Sequence, residues 1–367
     1  MSSENKKIAI LSDQLAGSLG GAESILLAAL DLYPESDLYT TVHREGFLPS
    51  PYDAKKVHTT FIQKLPMAVE KYKAYLPLMP LGVELLDLQS YDVLFSSHHS
   101  MIKGVIPRPD AYHVCYCHSP ARYLWDMFWV YSDLNDFGFF KKLAVSGVSS
   151  YLRMWDVTSA NRVDRYIANS SFTAQRIKKF YGREANVLYP PVNTTKFQNQ
   201  GTDDYYLIAG RLVAYKGFEM AIDTFNENGK PLVVIGDGPE FQKLKAKAKP
   251  NIKMLGRVDE ATLIKCMNEC KGFIFPGKED FGIVMAEAQS AGKPVIALSA
   301  GGALDIVENL KTGVLVEEYN VASFVKAIQL ADDMTWDSNY IELSTQRFDV
   351  EYFKEQLKQY IETPQYI

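Results

Sequence analysis

The sequence predicts an α/β protein with two doubly wound parallel sheets, each covered by helices on both faces. Three observations support this class. Short apolar runs alternate with helical segments, as is typical of parallel strands that are buried on both sides. The alternation stops near residue 189 and restarts at residue 205. The chain has 367 residues, which at about 150 residues per domain is enough for two.

The first half begins with an apolar run at residues 7–12, followed by a glycine-rich loop at residues 17–21 and an apolar helical stretch from Ala22. This order predicts a strand, a loop and a helix. Three further strands are expected where apolar runs end at small or polar residues. These runs are residues 92–97, 113–118 and 165–170.

The second half repeats the pattern, with turns rich in glycine after most strands. The predicted strands are residues 205–210, 231–236, 251–256, 272–276 and 293–299. The predicted helices between them are residues 217–227, 239–248, 259–270 and 281–291. Because strands and helices alternate twice, we expect two Rossmann-like domains.

Domain boundaries follow from composition. Residues 189–204 are polar and contain the extended pair Pro190-Pro191, so we interpret them as a linker. This gives a first domain at residues 1–188 and a second at 205–346. Residues 347–367 form a charged amphipathic helix, which we expect to cross back to the first domain.

Composition excludes several protein classes. The net charge is −5, so the basic excess of a protein that binds duplex nucleic acid is absent and no nucleic-acid partner is expected. The N-terminal apolar run is too short for a signal peptide, and no apolar stretch approaches the length of a membrane span. We therefore expect a cytoplasmic protein. The cysteines do not match common zinc spacings, and we expect reduced thiols at Cys115, Cys117, Cys266 and Cys270.

Ligands of open α/β sheets bind beyond the carboxyl ends of the strands. Gly20 and Gly21 follow the first strand, where glycines let backbone N–H groups approach an anion at a helix start. The loop has neither the G-x-G-x-x-G spacing nor a G-K-[ST] sequence, so a dinucleotide fingerprint and a P-loop are both absent. A flexible turn without a ligand remains an equal alternative for this motif alone.

The second candidate lies after the first strand of the second half. Arg211 leaves the strand end, and Lys216 precedes a helix. The planar guanidinium and the compact ammonium are suited to a diphosphate. An ordinary solvated pair of cations is the alternative.

The third candidate is the segment from Glu279 to Glu287. Glu279 precedes a helix, and Glu287 lies inside an otherwise apolar part of it, where an unpaired carboxylate costs free energy. The N–H groups of Phe281, Gly282 and Ile283 lie at the helix start. Carboxylates beside such donors suit a ligand that carries both hydroxyls and phosphate.

Seven motifs follow one another along the chain: GGAE (20–23), YCHSPARYLWD (116–126), ANSSFT (168–173), GRLVAYKG (210–217), VIGDGPE (234–240), LGRV (255–258) and EDFGIVMAEAQSAGKPVIA (279–297). With these motifs the sequence resembles the GT-B glycosyltransferases of the retaining family GT4, and in part the bacterial mannosyltransferases of O-antigen and exopolysaccharide assembly. This resemblance implies two Rossmann-like domains facing a central cleft, the first binding the acceptor and the second the nucleotide sugar.

The resemblance implies roles for the charged residues of the second half. Arg211 and Lys216 are expected to bind the diphosphate and to stabilise it as it leaves. Glu279 is expected to contact hydroxyls of the donor sugar, and Glu287 those of the ribose.

Backbone groups are implicated as well. Phe281, Gly282 and Ile283 are expected to donate N–H groups to the sugar or the diphosphate. Arg257 and Val258 fall where the family's loop borders the base.

In the first half, the resemblance places Gly20 and Gly21 near the phosphate and the acceptor. His118 corresponds to a histidine near the C6 hydroxyl of the transferred sugar, and a core histidine is the alternative. His98 and His99 also end a strand, and we expect them at most to line the cleft.

The implied reaction is a retaining transfer of a hexose to a saccharide or a lipid-linked saccharide in cell-surface polysaccharide biosynthesis. GDP-mannose is the preferred donor, and UDP- and dTDP-sugars are alternatives. No cofactor or metal is expected, because the sequence has no Asp-x-Asp pair. A catalytically silent nucleotide-sugar-binding protein is the alternative from another class.

Two segments suggest a peripheral contact with the inner face of the cytoplasmic membrane. Residues 61–80 mix apolar side chains with Lys64, Lys71 and Lys73, as a face directed at an anionic bilayer would. Residues 122–142 are rich in aromatic side chains, which could meet a lipid-linked acceptor. The alternative for this second segment is a subdomain that packs its own core.

Overall fold

The computed structural model describes residues 6–17, 20–129 and 139–364. The chain divides into two compact units. The first comprises Met1–Leu188 together with Lys354–Ile367, and the second comprises Tyr189–Phe353. Residues 130–138 of the aromatic segment predicted at 122–142 lie outside the described residues.

The first unit is built on a sheet of seven parallel strands. In chain order, β1 to β7 are Ile8–Leu15, Asp37–His43, Val57–Thr59, Val93–His98, Tyr112–Cys117, Arg165–Ala168 and Ala185–Val187. Their order in the sheet is β3-β2-β1-β4-β5-β6-β7. The order reverses between β1 and β4, so the loops that follow these two strands lie side by side at the edge where doubly wound sheets bind ligands.

Helices of the first unit begin and end at recognisable signals. The helix Ser171–Tyr181, for example, is capped by the Ser170 side chain, which accepts from the Thr173 N–H, and ends at Gly182 with φ +65°. In chain order, helices α1 to α5 are Gly21–Leu32, Ala68–Lys71, Met79–Glu84, Phe139–Ser159 and Ser171–Tyr181.

The second unit repeats this topology with six parallel strands. Strands β8 to β13 are Tyr206–Ala209, Leu232–Ile235, Ile252–Gly256, Gly272–Phe275, Val295–Leu298 and Gly313–Val316. Their order is β10-β9-β8-β11-β12-β13. Here the reversal falls between β8 and β11, which brings the Arg211 loop and the Glu279 loop to the same place.

The helices of the second unit cover both faces of its sheet. Alternate side chains of β11 enter opposite cores, since Phe273 and Phe275 pack in one cluster and Ile274 in the other. Helices α6 to α13 are Phe218–Asn228, Phe241–Lys247, Glu260–Glu269, Ile283–Ser290, Ala303–Ile306, Val321–Asp333, Ser338–Ser344 and Val350–Glu362.

The predicted α/β class with two parallel sheets is confirmed, and every predicted strand is present within a few residues. The predictions missed β2, β3, β7 and β13. In β2 the reason is chemical, because its centre carries Thr40 and Thr41 rather than aliphatic residues. Both hydroxyls are buried and donate to the carbonyl oxygen of Asp13, so the polar groups are satisfied inside the sheet.

The structure counts residues 189–204 with the second unit rather than as a separate linker. Val192 and Phe197 are buried, and the Val192 N–H donates to the carbonyl of Phe348 at 2.8 Å. Helix α13 is divided: its first turn belongs to the second unit and the remainder, from Lys354, to the first. In the first unit the Lys354 ammonium lies 3.0 Å from the Asp31 carboxylate.

None of the helices within the described ranges combines the length and the hydropathy that a membrane crossing requires.

Candidate active site

Two glycines set the geometry of the second unit's switch point, the place between β8 and β11 where the strand order reverses. Gly217 has φ +75° and starts α6. A Cβ on Gly217 would lie 2.7 Å from the nitrogen of Gly277, and a Cβ on Gly277 would lie 2.6 Å from the carbonyl oxygen of Lys216. The loops after β8 and β11 therefore touch backbone to backbone, which only glycine allows at both positions.

This contact brings together two of the residues predicted from the sequence. The Lys216 Nζ lies 2.9 Å from Glu279 Oε1, and the two side chains are 19% and 17% exposed. The pair is sheltered but reachable, so a ligand can replace either partner. Arg211 begins the same loop with an exposed side chain, and no ion pair to it is found within the described ranges.

The N-terminus of α9 lies beside this pair. Gly282 caps the helix with φ +93°, and a Cβ on it would lie 3.8 Å from Glu279 Oε2. The first N–H groups of a helix have no carbonyl partner within the helix, so Ile283 begins a set of donors next to the carboxylate. Phe281 anchors the turn, because its ring is buried and stacks on Tyr189 at 5.7 Å.

Glu287 lies about one turn further along α9. Burial raises the pKa of its carboxyl to about 7, with Glu260 adding to the effect and Lys196 opposing it. Lys196 is itself paired with Glu260 at 2.6 Å. No hydrogen bond or ion pair to the carboxyl group of Glu287 is found in the part of the chain that the structure describes. A carboxylate in this state can accept hydrogen bonds from a pair of vicinal hydroxyls and would gain by doing so.

The predicted base-binding residues follow β10. Gly256 ends this strand with φ +71°, and its carbonyl accepts from the Gly236 N–H at 2.8 Å. Arg257 is exposed, and Val258 packs partly buried against the core. The loops after β9 and β10 thus reach the same carboxyl edge of the sheet as the charged pair.

Sequence reasoning missed a third supporting loop, which follows β12. The Gly302 N–H donates to the Glu279 carbonyl at 3.0 Å. A Cβ on Gly301 would lie 2.3 Å from that carbonyl oxygen, and one on Gly302 would lie 2.2 Å from the carbonyl oxygen of Phe281. The signal was available as a second Gly-Gly after a predicted strand. Its effect is to fix the backbone that carries Glu279.

In the first unit, Gly20 and Gly21 are exposed at the start of α1, as predicted. The Gly20 N–H, however, donates to the Glu23 carboxylate at 2.8 Å. An anion that bound here would therefore have to displace Glu23, which the sequence analysis did not foresee. The role of these glycines in ligand binding stays a prediction.

His118 directly follows β5, and its ring is partly buried. Its Nε2 lies 2.8 Å from the Ser97 hydroxyl, and its carbonyl accepts from the Asn169 amide at 3.0 Å. Burial lowers the pKa of His118 to about 3, and the nearby His99 contributes. The ring is therefore neutral near pH 7, so it can exchange hydrogen bonds with a hydroxyl but cannot supply positive charge.

His98, which ends β4, and His99, which follows it, differ from each other. The His98 side chain is 0% exposed, so the expectation that it lines a cleft is wrong. His99 is 35% exposed, and its ring lies 6.2 Å from that of His118. Beside them lies Asp13 of β1, which is 1% exposed and which the sequence analysis missed. Its signal was an acidic residue inside an apolar strand.

Comparisons with known proteins identify the family to which the chain belongs. A family model described as glycosyl transferases group 1 matches residues 192–335. A second, described as Glycosyltransferase Family 4, matches residues 20–196. The two together span most of the chain.

Individual similar proteins match over shorter regions. An uncharacterized glycosyltransferase of Methanocaldococcus jannaschii is 30% identical over 43% of this chain and 46% of its own length. A D-rhamnosyltransferase of Pseudomonas aeruginosa is 26% identical over 46% and 49%. An O-antigen chain mannosyltransferase of Escherichia coli is 24% identical over 40% and 42%. The chain thus matches somewhat less than half the length of these relatives.

Solved structures resemble the whole chain. The Anabaena protein HepE in complex with UDP and glucose has a TM-score of 0.68 at 18% identity, covering 98% of this chain and 100% of that one. Sucrose-phosphate synthase from Thermosynechococcus elongatus has a TM-score of 0.67 at 15% identity, covering 96% and 98%. At such identities the likeness establishes the fold, which is GT-B, and nothing finer.

Proposed function

This chain belongs to the group 1 glycosyltransferases of family 4, and from that premise we propose that it is a retaining hexosyltransferase. Its donor is a nucleotide sugar, and its acceptor is a saccharide or a lipid-linked saccharide of a cell-surface polysaccharide. The observation that carries this proposal is the pair of Lys216 and Glu279, 2.9 Å apart at the switch point of the second sheet.

A sugar diphosphate needs two kinds of partner that this pair supplies. The Lys216 ammonium, with the guanidinium of Arg211, balances the charge of the diphosphate. The Glu279 carboxylate accepts hydrogen bonds from hydroxyls of the sugar. When the ligand enters, Lys216 exchanges its carboxylate partner for a phosphate, so the ammonium never becomes an unpaired half-buried charge.

Chemistry then follows from the placement of charge. The bond between the anomeric carbon and the diphosphate oxygen breaks, and its electron pair leaves with the diphosphate. The acceptor hydroxyl oxygen bonds to the anomeric carbon from the same face, and its proton passes to the released diphosphate. No side chain acts as a covalent nucleophile. Lys216, Arg211 and the N–H groups of α9 stabilise the developing negative charge.

We propose GDP-mannose as the donor. The support is the YCHSPARYLWD motif at residues 116–126 and relatives named as mannosyltransferases in Escherichia coli and, dependent on GDP-mannose, in Corynebacterium glutamicum. A UDP-sugar is the alternative, because the similar Anabaena structure holds UDP and glucose.

A catalytically silent nucleotide-sugar-binding protein is the competing function. It would retain nucleotide binding but release no nucleotide from GDP-mannose. The joint presence of Lys216, Arg211 and Glu279 favours the enzyme, because binding alone does not require cations aimed at a leaving group.

A thermal-shift screen with GDP, UDP, dTDP and their sugar conjugates tests the proposal. A specific ligand at about 100 times its dissociation constant adds about 2.7 kcal/mol of stability. The Lys216→Ala variant should lose this shift. Lys265→Ala is the matched control, because Lys265 is 69% exposed in the same unit and its nearest carboxylate is 4.0 Å away. If none of the nucleotides shifts the wild-type protein, the proposed function is wrong.

We further propose a peripheral contact between the first unit and an anionic membrane. Four large apolar side chains of residues 61–85 are exposed, by 40% to 65%, and basic residues accompany them. They are Met67, Leu78, Leu81 and Leu85. Part of the aromatic segment packs in the core, since Phe128 is buried and Trp125 stacks on Phe180 at 4.7 Å. Trp129, in contrast, is 76% exposed and is available for a lipid contact.

A further inference from the structure

The loop that follows β4 is held by a buried carboxylate. Asp13 Oδ2 accepts from the backbone N–H groups of His99 at 2.6 Å and Ser100 at 2.8 Å. Asp13 Oδ1 accepts from those of Met101 at 2.7 Å and Ile102 at 2.8 Å. Four consecutive N–H groups therefore converge on one internal anion, and charge-assisted bonds of this kind are among the strongest available to a backbone.

The far end of the same loop is anchored a second time. The Lys103 ammonium, wholly buried, donates to the Asp156 carboxylate at 2.7 Å, to the Asp156 carbonyl at 2.8 Å and to the Ser159 hydroxyl at 3.1 Å. Tyr181 and Trp125 complete the hydrogen bonds of Asp156. Residues 99–103 are consequently fixed at both ends to the core of the first unit.

One side chain of this rigid loop is presented to solvent with open ring surface. Met101, Ile102 and Lys103 are buried, and the Ser100 hydroxyl is bonded to that of Tyr123 at 2.8 Å. His99 is 35% exposed.

The His99 ring is oriented by two residues of β1. Its Nε2 lies 2.9 Å from the Gln14 amide nitrogen, and its Nδ1 lies 3.5 Å from Asp13 Oδ2. With Gln14 donating to Nε2, the proton sits on Nδ1 and faces the carboxylate. The ring edge lies beside His118, at the switch point of the first sheet.

We propose that His99 is an acceptor-binding residue of the transfer reaction and that Asp13 is the residue that positions it. This inference rests on the proposed function and assigns to the exposed face of the His99 ring the C–H face of a neutral saccharide, because both ring nitrogens already face Gln14 and Asp13. The geometry disfavours an anionic ligand here, because the N–H groups that would bind one are already occupied by Asp13. The two switch points of the chain are thus specialised: the first carries an internal anion, and the second offers its helix start to a diphosphate.

The first experiment observes the ring directly. The chain has six histidines, so ring resonances of histidine-labelled protein can be assigned with a His99→Gln variant. Methyl glycosides of mannose, glucose, galactose and N-acetylglucosamine, added in the presence of GDP, serve as probes. We expect at least one to shift the His99 resonance while His113, which is buried, stays unchanged. If no glycoside moves His99 although GDP binds, the inference is overturned.

The second experiment tests the link between the two residues. Transfer from GDP-mannose to the responding glycoside is measured for His99→Ala, Asp13→Asn and the double variant. We expect His99→Ala to lower kcat/KM about 10²-fold, the usual cost of losing orientation. The double variant should have a kcat/KM only slightly lower than that of His99→Ala alone, because the effects of two residues in contact are not additive. Full additivity in kcat/KM would show that Asp13 acts independently of His99 and would overturn its positioning role.

The two proposals fail differently. If the wild-type protein binds none of the nucleotides, the proposed function is wrong. If His99→Ala binds nucleotide and transfers sugar as the wild type does, only the role of His99 is wrong. Should Asp13→Asn not fold, Gln14→Ala replaces it, since it removes the other contact that orients the ring and leaves the loop intact.

Discussion

Lys216 and Glu279 form an ion pair across two loops that are distant in sequence, with 2.9 Å between Nζ and Oε1. The topology explains the contact. The loops follow β8 and β11, the neighbours at which the strand order reverses. Gly217 and Gly277 then let the two backbones touch. The proposed function needs positive charge beside a leaving diphosphate, and this contact fixes the position of the Lys216 ammonium before any ligand arrives.

Removing either cation should slow transfer. Lys216→Ala and Arg211→Ala are each expected to lose about 10²–10³ in kcat, because a preorganised group that stabilises developing charge is missing. Both variants should keep their thermal midpoint within a few degrees. Steady-state release of GDP from GDP-mannose is the measurement, with Lys265→Ala as the control. Turnover close to that of the wild-type protein in either variant would contradict the assignment.

The close approach of Gly217 to Gly277 can be tested by adding one methyl group. Gly217→Ala must place a side chain at φ +75° and against the Pro276–Gly277 backbone. Gly229→Ala is the matched control, because Gly229 has φ +71° and nothing within 4 Å of its Cβ position. The control should cost about 1–2 kcal/mol for the left-handed backbone, and Gly217→Ala roughly 1–3 kcal/mol more for overpacking. Equal losses in urea unfolding would disprove the packing argument.

Glu287 should make stability depend on pH. Burial raises the pKa of its carboxyl from 4.5 to about 7, so the folded state holds this proton more tightly than the unfolded state. The stability from the protonated form is fully present below about pH 4.5 and is lost as pH rises to about 7, by roughly 3 kcal/mol. Denaturant unfolding from pH 5 to 8 measures it.

Glu287→Gln should abolish that pH dependence, while Glu342→Gln, on an exposed position, should leave it. In the wild-type protein, nucleotide affinity should fall below pH 7, because a protonated carboxyl accepts fewer hydrogen bonds from ribose. If nucleotide affinity falls with pH in the same way in the Glu287→Gln variant, a group other than Glu287 causes that fall.

Transfer should not require a divalent metal. Lys216 and Arg211 already provide the positive charge that a bound cation supplies to a diphosphate in other enzymes. Activity should therefore persist at its original level after exhaustive treatment with EDTA. Complete loss of transfer that manganese restores would show that the two side chains are insufficient.

Membrane contact should be electrostatic and apolar at once. The wild-type protein is expected to sediment with liposomes rich in anionic phospholipid at low salt and to be released at high salt, where charges are screened. Lys71→Glu with Lys73→Glu should weaken sedimentation. The matched pair Lys265→Glu with Lys326→Glu changes the net charge by the same amount in the second unit and should leave sedimentation unchanged. If neither pair of substitutions changes sedimentation with the liposomes, residues 61–85 are not the membrane-binding face.

Much of the architecture was readable from local pattern. Parallel strands buried on both sides must be short and apolar, so the strands from Tyr206 to Leu298 were found almost at their observed limits. The charged residues stood out for the same reason, because Lys216, Glu279 and Glu287 interrupt or border apolar segments. Strand β2 was missed because threonine is a polar residue, and the sequence pattern does not show that the Thr40 and Thr41 hydroxyls are hydrogen-bonded inside the sheet.

The sequence by itself therefore determined the fold class, the order of its elements and the residue types available at the strand ends. Only the tertiary structure decided that His98 is buried while His99 is exposed, that Glu23 occupies the Gly20 N–H, and that Asp13 holds a loop of the neighbouring strand. The reason is that periodicity records what each segment must bury against its own sheet. The partner of a polar group, by contrast, is set by which loops the strand order makes neighbours and by how closely their backbones can approach.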